Sequence, residues 1–107
     1  MEHFAQMHLI QILLPLRDNL GKPLPGKLHR EVKQKLTERF KGLTVYSRAP
    51  AEGIWKPGKG ARQDEIIVYE LMVPKIEVKW WKRYRSVLEK SFRQESVVIR
   101  AHEIMLL

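Results

Sequence analysis

Glu70 is the residue whose type and surroundings most readily suggest chemistry in this sequence. It is the polar exception in an otherwise apolar stretch that runs from Ile66 to Val73. Burying a carboxylate in such a stretch is costly unless the carboxylate is paired with another group. A glutamate beside a histidine is also a pair that general acid–base catalysis uses on small substrates. Glu70 is therefore the first candidate for a catalytic residue.

Four further residues are candidates for partners of Glu70 in a polar pocket. His102 is the second catalytic candidate, whereas Tyr46, Arg48 and Arg100 are candidates for binding a ligand. Arginine pairs well with carboxylates and phosphates, so the expected ligand is a small anionic molecule. The competing hypothesis is an ion pair at Glu70 that joins strands or subunits, because structural networks also bring such groups together. The residue types alone favour the ion pair.

A basic, glycine-rich segment in the middle of the chain is the second candidate site. Between Ala49 and Gln63 the sequence contains two prolines, three glycines and Trp55, and we expect this segment to be irregular. Its backbone could hold a phosphate while Trp55 stacks on a base, which makes Trp55 a candidate ligand-binding residue. The segment matches neither a P-loop nor a dinucleotide-binding fingerprint. A hairpin loop held in place by Trp55 is the simpler interpretation.

The sequence gives little support for metal, cofactor or covalent chemistry. It contains no cysteine, which excludes a thiol nucleophile, a disulfide scaffold and a cysteine-based zinc site. The four histidines, which lack the spacing of metal ligands, are His3, His8, His29 and His102. Neither G-x-S-x-G nor H-E-x-x-H occurs. We therefore predict no metal and no cofactor.

The candidate residues must be positioned by six segments whose hydrophobic period changes along the chain. Alternating or continuous apolar runs predict strands at Gln6–Leu16, Leu43–Arg48, Glu65–Val73 and Val97–Leu106, and a period near 3.6 predicts helices at Leu28–Phe40 and Ile76–Phe92. The order βαββαβ is that of the ferredoxin-like fold, an α+β architecture with a four-stranded antiparallel sheet and two helices on one face. At 107 residues the chain is expected to form one domain, residues 1–107.

The face of this sheet that the helices leave open is where we expect any site to lie. Alternation along the strands assigns to this face Leu9, Gln11, Leu13, Tyr46, Arg48, Val68, Glu70, Met72, Arg100, His102 and Ile104. A one-residue error in register would exchange this set with the residues beneath the helices. Apolar patches of this size usually mark an interface or a ligand cleft. We therefore expect a homodimer formed through the open face.

The overall charge indicates a second class of partner. Twenty basic and twelve acidic residues give a formal net charge of +8 and a pI near 10.0. A positive surface attracts polyanions, so the basic face of the second helix and the central segment are candidates for nucleic-acid binding. Charged residues opposite an apolar stripe are more often a solvated helix face. Trp80, Trp81 and Tyr84 lie on the apolar arc of the same helix, which indicates packing rather than stacking on bases.

The sequence also predicts the compartment. Gln11 and Pro15 interrupt the apolar run near the start, and no basic region precedes it, so we expect no signal peptide. No stretch approaches the roughly 20 apolar residues of a membrane span. We expect a cytoplasmic protein with no membrane partner.

Three short motifs resemble a family of small bacterial proteins of unknown function. They are Glu38-Arg-Phe-Lys-Gly-Leu-Thr44, Gly53-Ile-Trp55 and Phe92-Arg-Gln-Glu-Ser-Val97, within residues 38–97. The resemblance implies a compact α+β domain and supplies no catalytic residues. It also implies that Trp55 and the turn at Gln94 and Glu95 belong to the shared scaffold.

Three functions remain open at the level of the sequence. The leading hypothesis is a dimeric, non-enzymatic binding module that uses the open sheet face. The first alternative is a small dimeric enzyme of the α/β-barrel type that acts on an anionic molecule with Glu70 and His102. The second alternative is nucleic-acid binding through the second helix and the central segment.

Overall fold

The structure, a computed structural model, describes residues 5–53 and 62–107, with side chains described at 6–47 and 65–107. The elements are β1 (Ala5–Pro15), α1 (Gly26–Arg39), β2 (Thr44–Gly53), β3 (Arg62–Val73), α2 (Val78–Ser91) and β4 (Val98–Leu106). Four antiparallel strands and two helices in the order βαββαβ confirm the predicted ferredoxin-like α+β fold. Trp55 lies outside the described residues.

The strands form one sheet in the order β2-β3-β1-β4. β1 lies inside the sheet, where Ile10 pairs with Leu71 of β3 on one side and with Ala101 of β4 on the other. Runs of apolar residues suit β1 and β3 to this interior position, because both faces of an inner strand exclude water more than an edge does. β2 and β4 are the edges.

The hairpin between β2 and β3 is longer than the sequence predicts. The backbone pairing continues through Ala51–Asp64 and Gly53–Arg62. The prediction of an irregular segment from Ala49 to Gln63 is therefore wrong at both ends of that segment. A register shift between Arg48 and Ala51 lets the strand pass Pro50. Proline is tolerated there because β2 is an edge strand and a bulge removes the need for a ladder hydrogen bond.

The core fills the space between the sheet and the two helices. Ile10, Ile12 and Leu14 of β1 are at most 1% exposed. They meet side chains that recur on one side of each helix, namely Val32, Leu36, Trp81, Tyr84 and Leu88, together with Phe92 directly after α2. Full burial of one such aliphatic or aromatic side chain contributes about 1.5–3 kcal/mol to stability. One apolar side on each helix is therefore enough to hold it against the sheet.

An aromatic cluster joins the end of α1 to the start of α2. Phe40 stacks on Trp81 at a ring separation of 5.4 Å and meets the edge of Trp80 at 5.5 Å. The Arg39 guanidinium lies 4.3 Å from the Trp80 ring and pairs with the carboxylate of Glu77. Burial of Trp81 and Tyr84 confirms that these aromatic residues belong to the core, and burial raises the pKa of Tyr84 to about 12.

One polar pair is sealed inside the core. The Tyr69 hydroxyl donates to Nδ1 of His29, and Nε2 of His29 donates to the carbonyl oxygen of Pro15 at 3.0 Å. This assignment follows because a carbonyl can only accept, which leaves Nδ1 as the acceptor of the neutral ring. Burial lowers the pKa of His29 and raises the pKa of Tyr69, so both groups stay uncharged.

Candidate functional site on the open sheet face

A row of polar residues crosses all four strands on the face opposite the helices. The antiparallel register places Arg100 of β4 beside Gln11 of β1, Gln11 beside Glu70 of β3, and Glu70 beside Thr44 of β2. Residues paired in this way point to the same side of a sheet. We call Arg100, Gln11, Glu70 and Tyr46, which lies diagonally next to Glu70, the polar row.

Hydrogen bonds link the members of the polar row from one edge of the sheet to the other. Nε of Arg100 donates to Oε1 of Gln11 at 2.8 Å, and Nε2 of Gln11 donates to Oε1 of Glu70 at 2.8 Å. The Tyr46 hydroxyl donates to Oε2 of Glu70 at 3.1 Å. The Gln11 amide both accepts a hydrogen bond and donates one. Its orientation is therefore fixed, because the oxygen must face Arg100 and the nitrogen must face Glu70.

The two charges of the polar row are separated by a neutral residue. Gln11 stands between the Glu70 carboxylate and the Arg100 guanidinium, and no described salt bridge includes either charge. The carboxylate is half-buried and accepts from an amide and a phenol. Within the described part of the chain, the terminal Nη groups of Arg100 form no hydrogen bond. The row therefore retains guanidinium donors for an additional acceptor.

A concavity of about 360 Å³ lies over the polar row. Its apolar floor is formed by Leu13, Ile66 and Val68, and its polar wall by the four members of the row. A second concavity of about 390 Å³ begins on the other side of Glu70 and includes Leu9, Met72 and Lys41. Apolar surface with a few convergent polar groups is the usual composition of a small-molecule site.

The structure brings together some of the residues that the sequence singled out. Tyr46, Glu70 and Arg100 meet in the polar row as expected. His102 lies in the neighbouring row, beside Leu9 and two strands away from Glu70, and it is exposed. No described hydrogen bond or ion pair connects His102 with Glu70, so acid–base cooperation of this pair stays a prediction.

The remaining predicted residues fall in the less fully described part of the chain. The backbone of Arg48 pairs with Ile66, at the border of the concavity, but its side chain is outside the described residues. The same holds for the whole of Trp55. Their roles in ligand binding stay predictions.

Gln11 is the member of the polar row that sequence reasoning placed on the open face without giving it a function. It contacts both charged residues and holds them in one chain of hydrogen bonds. A signal was present, because Gln11 is the polar exception between Leu9 and Leu14 just as Glu70 is in β3. Two such exceptions in adjacent inner strands indicate a shared row once the register is known.

Other kinds of site find no support in the residues that the structure describes. Among them, no group of three or more histidine or acidic side chains is placed to hold a metal ion. The helices in the described ranges are too short and too polar to cross a membrane. Comparison with models of known protein families and with curated proteins gives no match, so the resemblance over residues 38–97 stays a prediction.

Proposed function

We propose that this protein is a homodimeric binding module that holds a small anionic molecule between two open sheet faces. The observation that carries the proposal is the polar row, a continuous hydrogen-bonded chain set in a partly apolar face that the helices leave uncovered. A fully linked hydrogen-bond network holds its side chains in one arrangement, as a binding surface requires. The occupant of the face in this proposal is a second copy of the chain.

The size of the face supports a dimer. Four strands at about 4.8 Å and roughly nine residues of common length at about 3.4 Å give on the order of 600 Å² per face. Two faces together reach about 1,200 Å², the lower limit for specific protein–protein interfaces. Met72 is 50% exposed and Val98 49% exposed on this face. Apolar side chains that remain exposed on this face favour association.

The direction of the polar row supports a particular symmetry. Arg100 lies at the β4 edge, whereas Glu70 and Tyr46 lie towards the β2 edge. A two-fold axis parallel to the strands and between β1 and β3 places the cationic end of one row over the Tyr46 end of the other. An axis perpendicular to the strands would place Arg100 against Arg100. Avoiding the contact between two Arg100 guanidinium groups therefore favours the first arrangement.

The concavity supports a ligand that is anionic at one end and apolar at the other. The Nη groups of Arg100 offer two donors in a planar fork that matches a carboxylate or a phosphate. Leu13 and Val68 offer an apolar surface beside this fork. Glu70 repels a second negative charge, so a monoanion fits the concavity better than a polyanion.

Sedimentation velocity over a range of protein concentrations tests the dimer. We expect twice the chain mass of 12.7 kDa, and a shift to the monomer for Leu13→Glu, because a carboxylate at the centre of the apolar floor cannot be buried unpaired. Val87→Glu is the matched control, since Val87 is exposed on the outer side of the molecule, on α2. A monomeric wild type, or equal dissociation by both variants, would contradict the proposal.

Titration with benzoate, followed by the side-chain Nε–H signal of Arg100 in NMR spectra, tests the ligand. We expect a saturable shift that disappears in Arg100→Gln, as judged from the signals of Leu13 and Val68. Lys82→Gln, which removes a charge from the helix layer, is the control and should leave the titration unchanged. Equal weakening by both substitutions would mean that benzoate responds to net charge alone, which would contradict a specific site.

A further inference from the structure

The two helices have the same length and nearly the same number of charged residues but differ in how their charges are paired. Each has 14 residues and five basic residues, with two acidic residues in α1 and one in α2. On α1 two of the five basic residues are in ion pairs, Lys27 with Glu31 at 3.9 Å and Arg39 with Glu77, and Gln34 donates to Glu38 at 3.1 Å. This is the usual arrangement of a solvated helix face.

The outward side of α2 has no such pairing. Its basic stripe consists of Lys79, Lys82, Arg83 and Lys90, all exposed, with Ser86 between them. The Glu89 side chain reaches the segment between α2 and β4, where its Oε2 accepts a hydrogen bond from the backbone N–H of Val97 at 3.0 Å. No described salt bridge includes a residue of the basic stripe.

The basic stripe is an unfavourable arrangement for the isolated helix. Lys79 and Arg83 are four residues apart, and like charges at this spacing destabilise a helix. Lys79 also lies in the first turn, where the helix dipole disfavours positive charge and where α2 contains no acidic residue. A polyanionic partner would offset this cost.

The geometry of the basic stripe fits a phosphate backbone. Lys79 and Lys90 are eleven positions apart, which spans about 16 Å at 1.5 Å per residue. One strand of a DNA duplex advances about 3.4 Å per phosphate, so this length faces roughly four or five phosphates. The stripe is straight and on one side of a helix that is anchored to the core by Trp81, Leu88 and Phe92.

A membrane surface is a poorer match. Helices that bind in the plane of a lipid interface insert tryptophan, phenylalanine or leucine beside their basic residues. In α2 the buried residues Trp81, Tyr84 and Leu88 face the sheet instead. The strongly exposed apolar residues of α2 are Val78 and Val87, which are too small and too far apart to form an inserting face.

From the unpaired charges, their spacing and the absence of an inserting face on α2, we propose that the basic stripe binds the phosphate backbone of a nucleic acid without reading its sequence. The basic stripe lies on the helix layer, opposite the open sheet face, so both surfaces can be occupied at once. The proposal does not depend on the dimer or on the anionic ligand.

Fluorescence anisotropy with a labelled 20-base-pair DNA duplex tests this proposal at several KCl concentrations. We expect log K to fall linearly with log [KCl], with a slope of about −3 to −4 for four phosphate contacts. The double variant Arg83→Gln/Lys90→Gln should reduce the magnitude of this slope by about two and weaken binding at least tenfold in low salt. A labelled single strand of RNA of equal length tests the same chemistry on a second nucleic acid.

The matched control removes two charges from the other helix. Arg30→Gln/Lys35→Gln changes two exposed residues of α1 and the same net charge, and it should leave the slope unchanged. Equal loss with both double variants would show attraction to net charge alone and would overturn the proposal. Failure of the wild type to bind either nucleic acid in 50 mM KCl would also overturn it.

Vesicles of phosphatidylserine and phosphatidylcholine separate the nucleic acid from a membrane. The proposal expects no sedimentation of the protein with these vesicles under conditions where the duplex is bound. Stripe-dependent vesicle binding without nucleic-acid binding would overturn it. Circular dichroism melting curves confirm that both double variants are folded, which is expected because all four positions are exposed.

Discussion

The two faces of the sheet use polar residues in opposite ways. On the helix-covered face the pair of His29 and Tyr69 is closed, since Tyr69 donates to His29 and His29 donates to Pro15. On the open face the polar row ends at Arg100, whose terminal donors form no described hydrogen bond. In the first arrangement the ring nitrogens of His29 and the Tyr69 hydroxyl are paired within the core. In the second, the terminal guanidinium donors of Arg100 remain available for a ligand on the open face.

The difference arises within single strands. Ile10 and Ile12 of β1 belong to the core, and Gln11 between them belongs to the polar row. Adjacent strand residues point to opposite faces, so neighbouring positions can evolve under different constraints, packing on one side and recognition on the other. Substitutions on the two faces should therefore differ in both size and kind of effect.

The largest expected difference comes from removing aliphatic side chains at neighbouring positions of β1. Ile12→Ala should lower the free energy of unfolding by about 2–4 kcal/mol, because Ile12 is fully buried and its loss leaves a cavity. Leu13→Ala, on the open face, should cost less in dilute protein, and its cost should grow with protein concentration as the dimer forms. Urea denaturation at two concentrations measures both. Equal, concentration-independent costs would contradict the comparison.

Removing one hydroxyl from each face should give the next largest difference. Tyr69→Phe leaves Nδ1 of His29 without its donor inside the core and should cost about 1–3 kcal/mol. Tyr46→Phe removes a donor to Glu70 where water can replace it, and should cost less than about 1 kcal/mol. Thermal melts of the two variants provide the measurement. A larger loss of stability in Tyr46→Phe than in Tyr69→Phe would contradict the view that the closed pair supports folding and the polar row does not.

The pH dependence of stability should come from the covered face. Because burial lowers the pKa of His29 from its usual 6.5, the unfolded chain binds a proton below pH 6.5 that the folded protein does not. The free energy of unfolding should have its full value above pH 6.5. As the pH decreases from 6.5 towards the pKa of His29 in the folded protein, it should fall by at most about 1.4 kcal/mol per pH unit.

Two histidine variants assign this pH dependence. His29→Gln should remove the slope between pH 6.5 and 5, whereas His102→Gln, at an exposed position of the open face, should retain it. Urea denaturation at half-unit pH steps gives the slopes. If the slope disappeared in His102→Gln instead, the titrating group would lie on the open face, and this prediction would be contradicted.

The smallest expected effect on folding concerns Glu70 itself. Glu70→Gln keeps the size of the side chain and one acceptor oxygen, and the Tyr46 hydroxyl can rotate to accept from the new amide, so the free energy of unfolding of the monomer should change by only about 0.5 kcal/mol. Benzoate binding should change more, because the repulsion that limits the ligand to one negative charge is removed. Glu103→Gln, on the edge strand β4, is the control for charge. A severe loss of stability in Glu70→Gln alone would mean that the polar row is structural.

The fold and the faces were predictable because they depend on periodicity. Alternation in β1 and β3 separates Ile10 and Ile12 from Gln11 whatever the neighbouring strands do, and the register of β1 with β4 then places Arg100 in the same row. Hydrogen bonding within the row was not predictable in detail, because it depends on rotamers and on diagonal neighbours such as Tyr46.

Features that depend on local backbone geometry were harder to predict. Gly42 is well placed in the sequence for a left-handed helix cap, yet α1 ends at Arg39, and the extended backbone of Phe40 carries its ring into the aromatic cluster. A left-handed residue follows α2 instead, at Arg93 with φ of 51°, where glycine is usual. Tertiary packing decides the first ending and local backbone hydrogen bonds close the second, from the N–H groups of Arg93 and Gln94 to the carbonyl oxygens of Lys90 and Glu89.

A distance between two copies of α2 tests the central claim most directly. The chain has no cysteine, so Ser86→Cys gives one spin label per chain on the outward side of the helix layer. Stacking two sheets and two helix layers at roughly 10 Å per layer predicts a label separation of at least about 30 Å by double electron–electron resonance. A single distance below about 20 Å, or no dipolar signal at any protein concentration, would contradict association through the open sheet face.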